Sequence, residues 1–202
     1  MIIIRPYVKT DELNWLDLHA SVMVDSSAWW IVEHKKPVYR SPKVVDLVAQ
    51  AGEQLVGFIT VEVESEIMNG DPDCGFVWEF GVHRNWRGQG IGRRLLEEAH
   101  RELKRRFAVT RTIWYSQEPN SQRWYEKMGM WEIGRHWQFS VFPTAEQNLQ
   151  FKQDGFVCER IRGSCKPEDF ARVRQKYNIV EDIDALKPRT CIGYEYDWTG
   201  DD

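Results

Sequence analysis

The 202-residue sequence predicts an α/β fold in which helices flank a mixed β-sheet. Three observations support this prediction. The chain opens with a short apolar run followed by a helical pattern, a strand–turn–strand pattern comes next, and a further strand leads directly into a long amphipathic helix. At this length, one domain with an extension or two small domains is the expected organisation.

The first segments of the chain alternate between strand and helix. Ile2 to Val8 has the composition of a short strand, and Thr10-Asp11-Glu12 supplies the capping signal of a helix. Residues 44–49 and 55–63 are apolar runs on either side of a tight turn at 51–54, which predicts a β-hairpin.

Residues 75–82 form the next predicted strand, and its alternation is informative. One face would carry the bulky side chains of Phe76, Trp78, Phe80 and Val82. The other face would carry Gly75, Val77, Glu79 and Gly81. Because glycine inside a strand often marks a bulge or the close approach of a ligand or another backbone, this second face is a candidate site.

The segment that follows carries the clearest helical pattern of the chain. Between Ile91 and Lys104 an apolar residue recurs every four positions, which predicts a helix with one buried stripe. A strand at 112–116, a helix at 121–128 closed by Gly129, and an extended segment at 130–142 come next.

Beyond Pro143 the pattern is less regular. Residues 147–154 are polar, residues 156–161 have a strand-like composition, and residues 167–177 carry a good helix signature. Near the end, Tyr194, Tyr196 and Trp198 would share one face of a last strand.

Composition and charge exclude several classes of protein. The net charge of −4 and the pI near 5.8 give no basic surface for nucleic acid. No apolar run approaches the ~20 residues that span a bilayer, and residues 1–6 lack the features of a signal peptide. The four cysteines and five histidines show no metal-ligand spacing. We therefore expect a cytoplasmic protein that binds no nucleic acid, no membrane and no metal.

The most specific feature is the run Arg87-Gly88-Gln89-Gly90-Ile91-Gly92 between a strand and the amphipathic helix. Alternating glycines let the backbone pass close to a ligand, and the helix start offers unpaired amides to a phosphate. The P-loop pattern is absent, and the dinucleotide pattern GxGxxG fails because its third glycine would fall on Arg93. From spacing alone, a tight turn without a ligand is the alternative.

The run from Val82 to Gly92 resembles the acetyl-CoA signature of the GNAT superfamily of N-acetyltransferases. In that signature Gln or Arg is followed after two residues by Gly, and after one more by Gly or Ala; here Arg87, Gly90 and Gly92 match. A second run, YEKMGM from Tyr125, resembles the family's YEKxGF. The two motifs occur in the family's order.

The resemblance implies a GNAT domain at 1–142, with a splayed mixed sheet that holds coenzyme A between two strands. An extension at 143–202 would pack on it, as a cover of the acceptor site or as a homodimer contact. Acetyl-CoA would be the co-substrate, with no metal. The backbone of Val82 would bind the pantetheine arm. The pyrophosphate would be bound by the loop residues Arg87, Gly88, Gln89, Gly90, Ile91 and Gly92.

Nearby arginines would add positive charge, namely Arg84, Arg93 and Arg94. For Arg93 and Arg94 the alternative is pairing with Glu97 and Glu98 on the exposed helix face. The resemblance also brings one departure, because Glu118 stands where the family commonly has an asparagine that contacts the cofactor. Asn120 is the candidate replacement, and an N-cap of the following helix is its alternative role.

The expected reaction needs a base, because an alkyl amine with a pKa of about 10.4 is almost fully protonated at neutral pH. Glu79 is the candidate, acting directly or through a water, and an ion pair with a nearby arginine is its alternative role. Other candidates are His83, Glu62, Glu64, Glu66, Glu118 and water alone.

The resemblance also assigns the acid and the contact to the reacting carbonyl. Tyr125 matches the family tyrosine that protonates the departing thiolate, with a core tyrosine as the alternative. A backbone amide near an expected strand distortion at Gly81–Val82 would polarise the thioester carbonyl.

The expected function is therefore N-acetyl transfer to a primary amine of a small molecule or peptide, by direct attack in a ternary complex. The alternative is a non-catalytic acyl-CoA-binding or sensor module. Among ten tryptophans, those outside the motif region are candidate acceptor contacts, with core or interface packing as the alternative role: Trp15, Trp29, Trp30 and Trp198. Glu62, Glu64 and Glu66 alternate along one predicted strand face, which would attract a cationic amine or simply be solvated.

Overall fold

The computed structural model describes residues 1–27, 32–183 and 186–199. The acceptor candidates Trp29 and Trp30 lie outside these ranges. Within them, no helix combines the length and the apolar character needed to cross a membrane.

The described residues form eight strands and five α-helices. The strands are β1 (Ile2–Pro6), β2 (Val44–Ala51), β3 (Gln54–Val63), β4 (Gly75–Val82), β5 (Arg111–Ser116), β6 (Trp131–Val141), β7 (Ile161–Cys165) and β8 (Arg189–Asp197). The α-helices are α1 (Glu12–Met23), α2 (Ile91–Phe107), α3 (Pro119–Lys127), α4 (Ala145–Gln153) and α5 (Phe170–Lys176).

These elements belong to two compact units, and β5, β6 and β8 contribute residues to both. Unit 1 comprises Met1–Trp114, Gly129–Trp131 and Tyr194–Asp202. Unit 2 comprises Tyr115–Met128 and Glu132–Gly193. The domain boundary expected at residue 142 and the dimer contact stay predictions.

The sheet of unit 1 is mixed and splayed, as the fold-class prediction requires. Its strands lie in the order β1-β2-β3-β4-β5-β8; β1 to β4 are antiparallel, whereas β4 and β5 are parallel. The β4–β5 ladder contains only the pairs Gly75↔Thr112 and Phe76↔Ile113. Since β4 continues to Val82, the two strands part after their first residues.

A β-bulge changes the face assignment of β4. Glu79 pairs with Thr60 of β3, but the next pair is Val77 with Val61, so Trp78 is the extra residue. The predicted strict alternation is therefore wrong, because a bulge shifts the pattern by one residue. Phe76 shares a face with Glu79 and Gly81, and the opposite face carries Gly75, Val77, Phe80 and Val82.

Helices pack on both faces of β3 and β4, and glycines make room for them. On one face, a Cβ at Gly57 would lie 2.9 Å from Leu95 Cδ1 of α2. On the other, a Cβ at Gly81 would lie 2.7 Å from Val22 Cγ1 of α1. Gly81 thus admits a helix, and the face that carries it is called the α1 face below.

Unit 2 contains β6 and β7 as an antiparallel pair, with the first residues of β8 beside β6. Trp137 of β6 stacks on Phe170 of α5 at a centroid distance of 4.2 Å, so this tryptophan has a packing role.

Two elements of unit 2 differ from the sequence expectation. Helix α4 was not predicted because no residue in it is buried; a capping box between Thr144 and Gln147 fixes its start. The strand expected at 156–161 is wrong, because the pairing with β6 begins only at Ile161.

Candidate functional site

The glycine-rich loop joins β4 to α2 and has the backbone shape of an anion site. Gly88 and Gly90 have φ angles of +77° and +76°, a conformation that side chains disfavour. A Cβ at either position would meet nothing within 4 Å, so the loop faces open space. Gly90 is the N-cap of the 17-residue helix α2, whose first amides therefore point out of the loop.

The other loop residues have separate roles. Gln89 donates from its side-chain Nε2 to the Asn85 carbonyl at 3.4 Å, which closes the loop. The Ile91 side chain is buried in the core, so only its backbone can face a ligand. Gly92 lies in the first turn of α2.

Asp25, just beyond the end of α1, binds two arginines of this loop. Its carboxylate lies 3.0 Å from Arg84 Nη2 and 3.3 Å from Arg87 Nη2. Arg87 also donates from Nε to the Val82 carbonyl at 3.0 Å. Two guanidinium groups against one carboxylate leave a net positive charge beside the loop, and sequence reasoning did not identify Asp25.

Arg94 has a different partner from the one expected. Its Nη2 donates to the Ile2 carbonyl at 2.9 Å, which connects α2 to β1. Glu98, the expected partner of Arg94, instead pairs with Arg101 at 2.7 Å.

The backbone of Val82 points away from β3, to the side on which β5 departs. His83 N–H donates to the Val56 carbonyl at 2.9 Å, and Val82 is the register partner of Gly57. In an antiparallel ladder the backbone N–H and C=O groups of every second residue point away from the partner strand. Val82 and Phe80 therefore both direct their N–H and C=O groups away from β3.

Glu79 lies half-buried on the α1 face, with His19 of α1 as its ionisable neighbour. His19 Nε2 is 3.4 Å from Glu79 Oε2, in place of the arginine considered from the sequence. The His19 ring is buried and stacks on Trp15 at a centroid distance of 4.8 Å. Sequence reasoning missed His19, although its spacing of four residues from Trp15 places both on one helix face.

Next to this pair an aromatic box holds the protein's own ammonium group. Lys36 Nζ lies 4.5 Å from the ring centroid of Trp15, 5.2 Å from that of Tyr7 and 5.3 Å from that of Tyr39. It also lies 3.0 Å from Asp46 Oδ2. The acceptor candidate Trp15 therefore belongs to an aromatic box, but Lys36 occupies that box.

Tyr39 connects this box to a cavity. Its ring packs on Trp78 at a centroid distance of 6.1 Å. Burial, reinforced by the charge of Glu79, raises the pKa of the Tyr39 phenol, so this group stays protonated at neutral pH.

The cavity has a volume of about 310 Å³ and lies wholly within unit 1. Its walls are residues 37–40, residues 65–67, Glu62 and Trp78. It opens on the α1 face. Along β4, the bulge separates it from the glycine loop.

The acidic residues near the cavity do not form the predicted strand face. β3 ends at Val63, and Glu64 has a φ angle of +59°, so the alternation stops before Glu64. Glu64 pairs with Lys43, and Glu66 pairs with Arg40. Of these three glutamates, Glu62 and Glu66 line the cavity.

His83, another base candidate, accepts a hydrogen bond at Nδ1 from Asn85 N–H at 3.2 Å. The imidazole therefore caps the 3-10 turn that precedes the glycine loop.

The remaining candidates lie in unit 2. Tyr125 is 6% exposed and meets Trp124 edge-on at a centroid distance of 5.7 Å. Glu118 is the N-cap of α3 and Pro119 its first residue, so the N-cap role considered for Asn120 is wrong. Asn120 Oδ1 instead accepts a hydrogen bond from Arg123.

Two of the tryptophan candidates are core residues. Trp15 is fully buried, and Trp198 stacks on His100 of α2 at a centroid distance of 3.6 Å. Among the described residues, no group of three or more His, Cys, Asp or Glu side chains could hold a metal ion.

A comparison with protein-family models matches residues 10–130 to the acetyltransferase (GNAT) family. No curated protein matches the sequence significantly.

Solved structures with a similar fold include three acetyltransferases. One is the ribosomal-protein-S18-alanine N-acetyltransferase of Escherichia coli, 14% identical, with a TM-score of 0.56 over 100% of this chain and 98% of that one. Arabidopsis thaliana NAA60 in complex with acetyl-CoA is 16% identical, with a TM-score of 0.56 over 99% and 100%. The paia N-acetyltransferase of Thermoplasma acidophilum in complex with coenzyme A is 15% identical, with a TM-score of 0.53 over 66% and 92%. At these identities the likeness concerns the fold.

Proposed function

Because the chain belongs to the acetyltransferase (GNAT) family and is an acyltransferase that uses acetyl-CoA, we propose that its acceptor is a primary amine of a small molecule or peptide. In this proposal the amine attacks the thioester directly while both substrates are bound. The new C–N bond forms as the C–S bond breaks, the amine loses a proton, and coenzyme A leaves as the thiol.

One observation carries the proposal: the glycine loop begins where β4 has parted from β5. The loop amides from Gly88 to Gly92 would bind the pyrophosphate, with Arg84 and Arg87 adding positive charge. The Val82 carbonyl already accepts from Arg87, so its outward N–H is the group that we expect to bind pantetheine.

Because of the bulge, a different residue from the one expected would contact the thioester carbonyl. The strand distortion lies at Trp78, not at Gly81–Val82. Phe80 is the first residue beyond the bulge with an outward backbone N–H, and it lies two residues, about 7 Å, from Val82. We therefore assign the contact to the Phe80 N–H, which would stabilise negative charge on the carbonyl oxygen as the amine attacks.

Proton transfer is assigned to Glu79 and Tyr125. At neutral pH, deprotonating an alkyl ammonium with a pKa of about 10.4 costs roughly 4 to 5 kcal/mol, so a nearby base accelerates the attack. Glu79 would accept this proton directly or through a water, and His19 would hold its carboxylate in place. Tyr125 would protonate the thiolate, and Asn120 would contact the cofactor; both roles rest on the family motif.

Release of free thiol from acetyl-CoA tests the proposal, measured with a panel of alkylamines, diamines and peptides with free amino ends. We expect release with at least one class of amine, in equal amount to the acetylated product. Tight coenzyme A binding without release on any amine would overturn the proposal and favour a non-catalytic acyl-CoA-binding module.

A further inference from the structure

Glu62 is a buried carboxylate held by two neutral donors. It is 2% exposed and faces the cavity described above. Its Oε1 accepts from the Ser41 N–H at 2.8 Å, and its Oε2 accepts from the Trp78 indole Nε1 at 2.7 Å. No ion pair of the described residues includes Glu62 at 4 Å or less. Buried charges are normally paired, so this carboxylate lacks the cation that its burial calls for.

The carboxylate is charged under ordinary conditions. Burial alone would raise the pKa of Glu62, but the surrounding hydrogen-bond donors, of which Ser41 and Trp78 contribute most, outweigh it and hold the pKa below its usual value. The cavity wall therefore carries a full negative charge at neutral pH.

A second buried polar group faces the same space. Ser65 is 1% exposed and lines the cavity. Its hydroxyl lies beside the Glu62 carboxylate without a hydrogen bond of ordinary geometry. This oxygen can accept a hydrogen bond from an N–H group bound in the cavity.

The other walls suit the apolar and cationic parts of an organic amine. The rings of Trp78 and Tyr39 offer faces that attract cations, and Val38 and Ile67 offer exposed apolar surface. Arg40 and Glu66 pair with each other at the rim. With that pair neutral overall, the charge of Glu62 is the one left for a ligand to balance.

The cavity lies next to the proposed base. Glu79 is the register partner of Thr60, and Glu62 follows two residues later on the same face of β3. Two residues along a strand correspond to about 7 Å. A short alkyl chain spans this distance.

We propose that the cavity binds a second cationic group of the acceptor, an alkylammonium or guanidinium carried a few carbon atoms from the amine that is acetylated. Glu62 balances its charge, Ser65 accepts a hydrogen bond, and Trp78 and Tyr39 cover its alkyl chain. The assignment of this group to the acceptor rests on the proposed function; the binding of the cation does not.

The test compares two amines that differ only in the second cation, 1-aminopentane and 1,5-diaminopentane. For the wild-type protein we expect a KM about tenfold lower for the diamine. Val38→Lys should remove this preference, because it places a positive charge at the cavity on a residue that is 95% exposed.

Glu62→Gln should also abolish the preference, and circular dichroism would show whether that variant folds. Glu64→Gln is the matched control, since it removes a charge that pairs with Lys43 outside the cavity. It should keep the preference for the diamine. Equal KM values for the two amines in the wild type, or a preference unaltered by Val38→Lys, would overturn the proposal.

Calorimetric titration with 1,5-diaminopentane, without acetyl-CoA, separates this proposal from the proposed function. Binding that weakens about tenfold in Val38→Lys supports the cation pocket even if no amine is acetylated. Acetylation of both amines at equal KM, with no calorimetric binding, overturns the pocket and leaves acetyl transfer standing.

Discussion

The Nε2 atom of His19, on helix α1, lies 3.4 Å from the Oε2 atom of Glu79, on strand β4. Helix α1 packs on the sheet because Gly81 leaves space for Val22, which brings His19 over β4. The pair therefore depends on a helix–sheet contact one turn away from it.

Glu79→Gln should lower kcat by about 100-fold, because the amide cannot accept the proton of the attacking amine. Acetyl-CoA affinity should change little, because the glycine loop is untouched. Steady-state kinetics and calorimetry with coenzyme A measure the two effects. Glu64→Gln is the control, and unchanged turnover in Glu79→Gln would assign the base role to another group or to water.

Gly88→Ala and Gly90→Ala should each destabilise the protein by about 1 kcal/mol, because both φ angles are positive. Both should also weaken coenzyme A binding, since the loop backbone would shift. Gly52→Ala is a matched control: its φ angle is +61°, no atom lies near its Cβ, and it belongs to the β2–β3 turn. Urea unfolding should show similar losses in all three variants, and equal loss of affinity in Gly52→Ala would contradict the assigned site.

Gly81→Ala should cost about 1 to 3 kcal/mol, because the new Cβ would lie 2.7 Å from Val22 Cγ1 and 2.9 Å from Phe58 Cζ. In the Val22→Ala background the cost should shrink, since one of the two clashes is gone. A double-mutant cycle by urea unfolding measures this coupling. Additive effects would mean that α1 does not approach the sheet at Gly81.

Tyr125→Phe should lower kcat at least tenfold without weakening acetyl-CoA binding, because only the phenol proton is removed. The ring is buried and would keep its contact with Trp124. Equal turnover in the variant would make this residue a core tyrosine.

His100 should make the protein less stable in mild acid. Burial lowers its pKa to about 3, whereas an unfolded histidine titrates near 6.5. The unfolded chain therefore binds the proton first, and stability falls by about 1.4 kcal/mol per pH unit from pH 6.5 towards 3. His100→Phe keeps a ring against Trp198 and should remove about 2 kcal/mol of the loss between pH 7 and pH 5. Urea unfolding measures the free energy of unfolding of both proteins at pH 7 and pH 5. An equal loss between these two pH values in the wild type and in His100→Phe would contradict the prediction.

The sequence predicted the fold class, the hairpin, β4 and α2 because each has a strong local signal. The alternating glycines, two of which have positive φ angles in the structure, mark the loop. The apolar repeat of four residues marks α2, and neither signal needs tertiary information. The two family motifs identified the cofactor and the type of reaction.

Features that depend on packing were missed. Nothing local distinguishes His19 from any other histidine on a helix, and its meeting with Glu79 is a tertiary contact. The cation box around Lys36 is formed by Tyr7 after β1, Trp15 of α1 and Tyr39 in the segment before β2. Helix α4 has capping residues but no buried stripe, so hydrophobic periodicity could not reveal it.

The extra residue at Trp78 acts as a phase shift in β4. Upstream of it, odd-numbered side chains point towards α2; downstream, odd-numbered side chains point towards α1. A related strand that lacks this residue must be aligned with a gap at this position. Without the gap, every side chain on one side of the bulge would be assigned to the wrong face of the sheet. Deleting Trp78 would make Val77 and Glu79 neighbours in a regular ladder, and both would keep their present partners on β3 and their present faces.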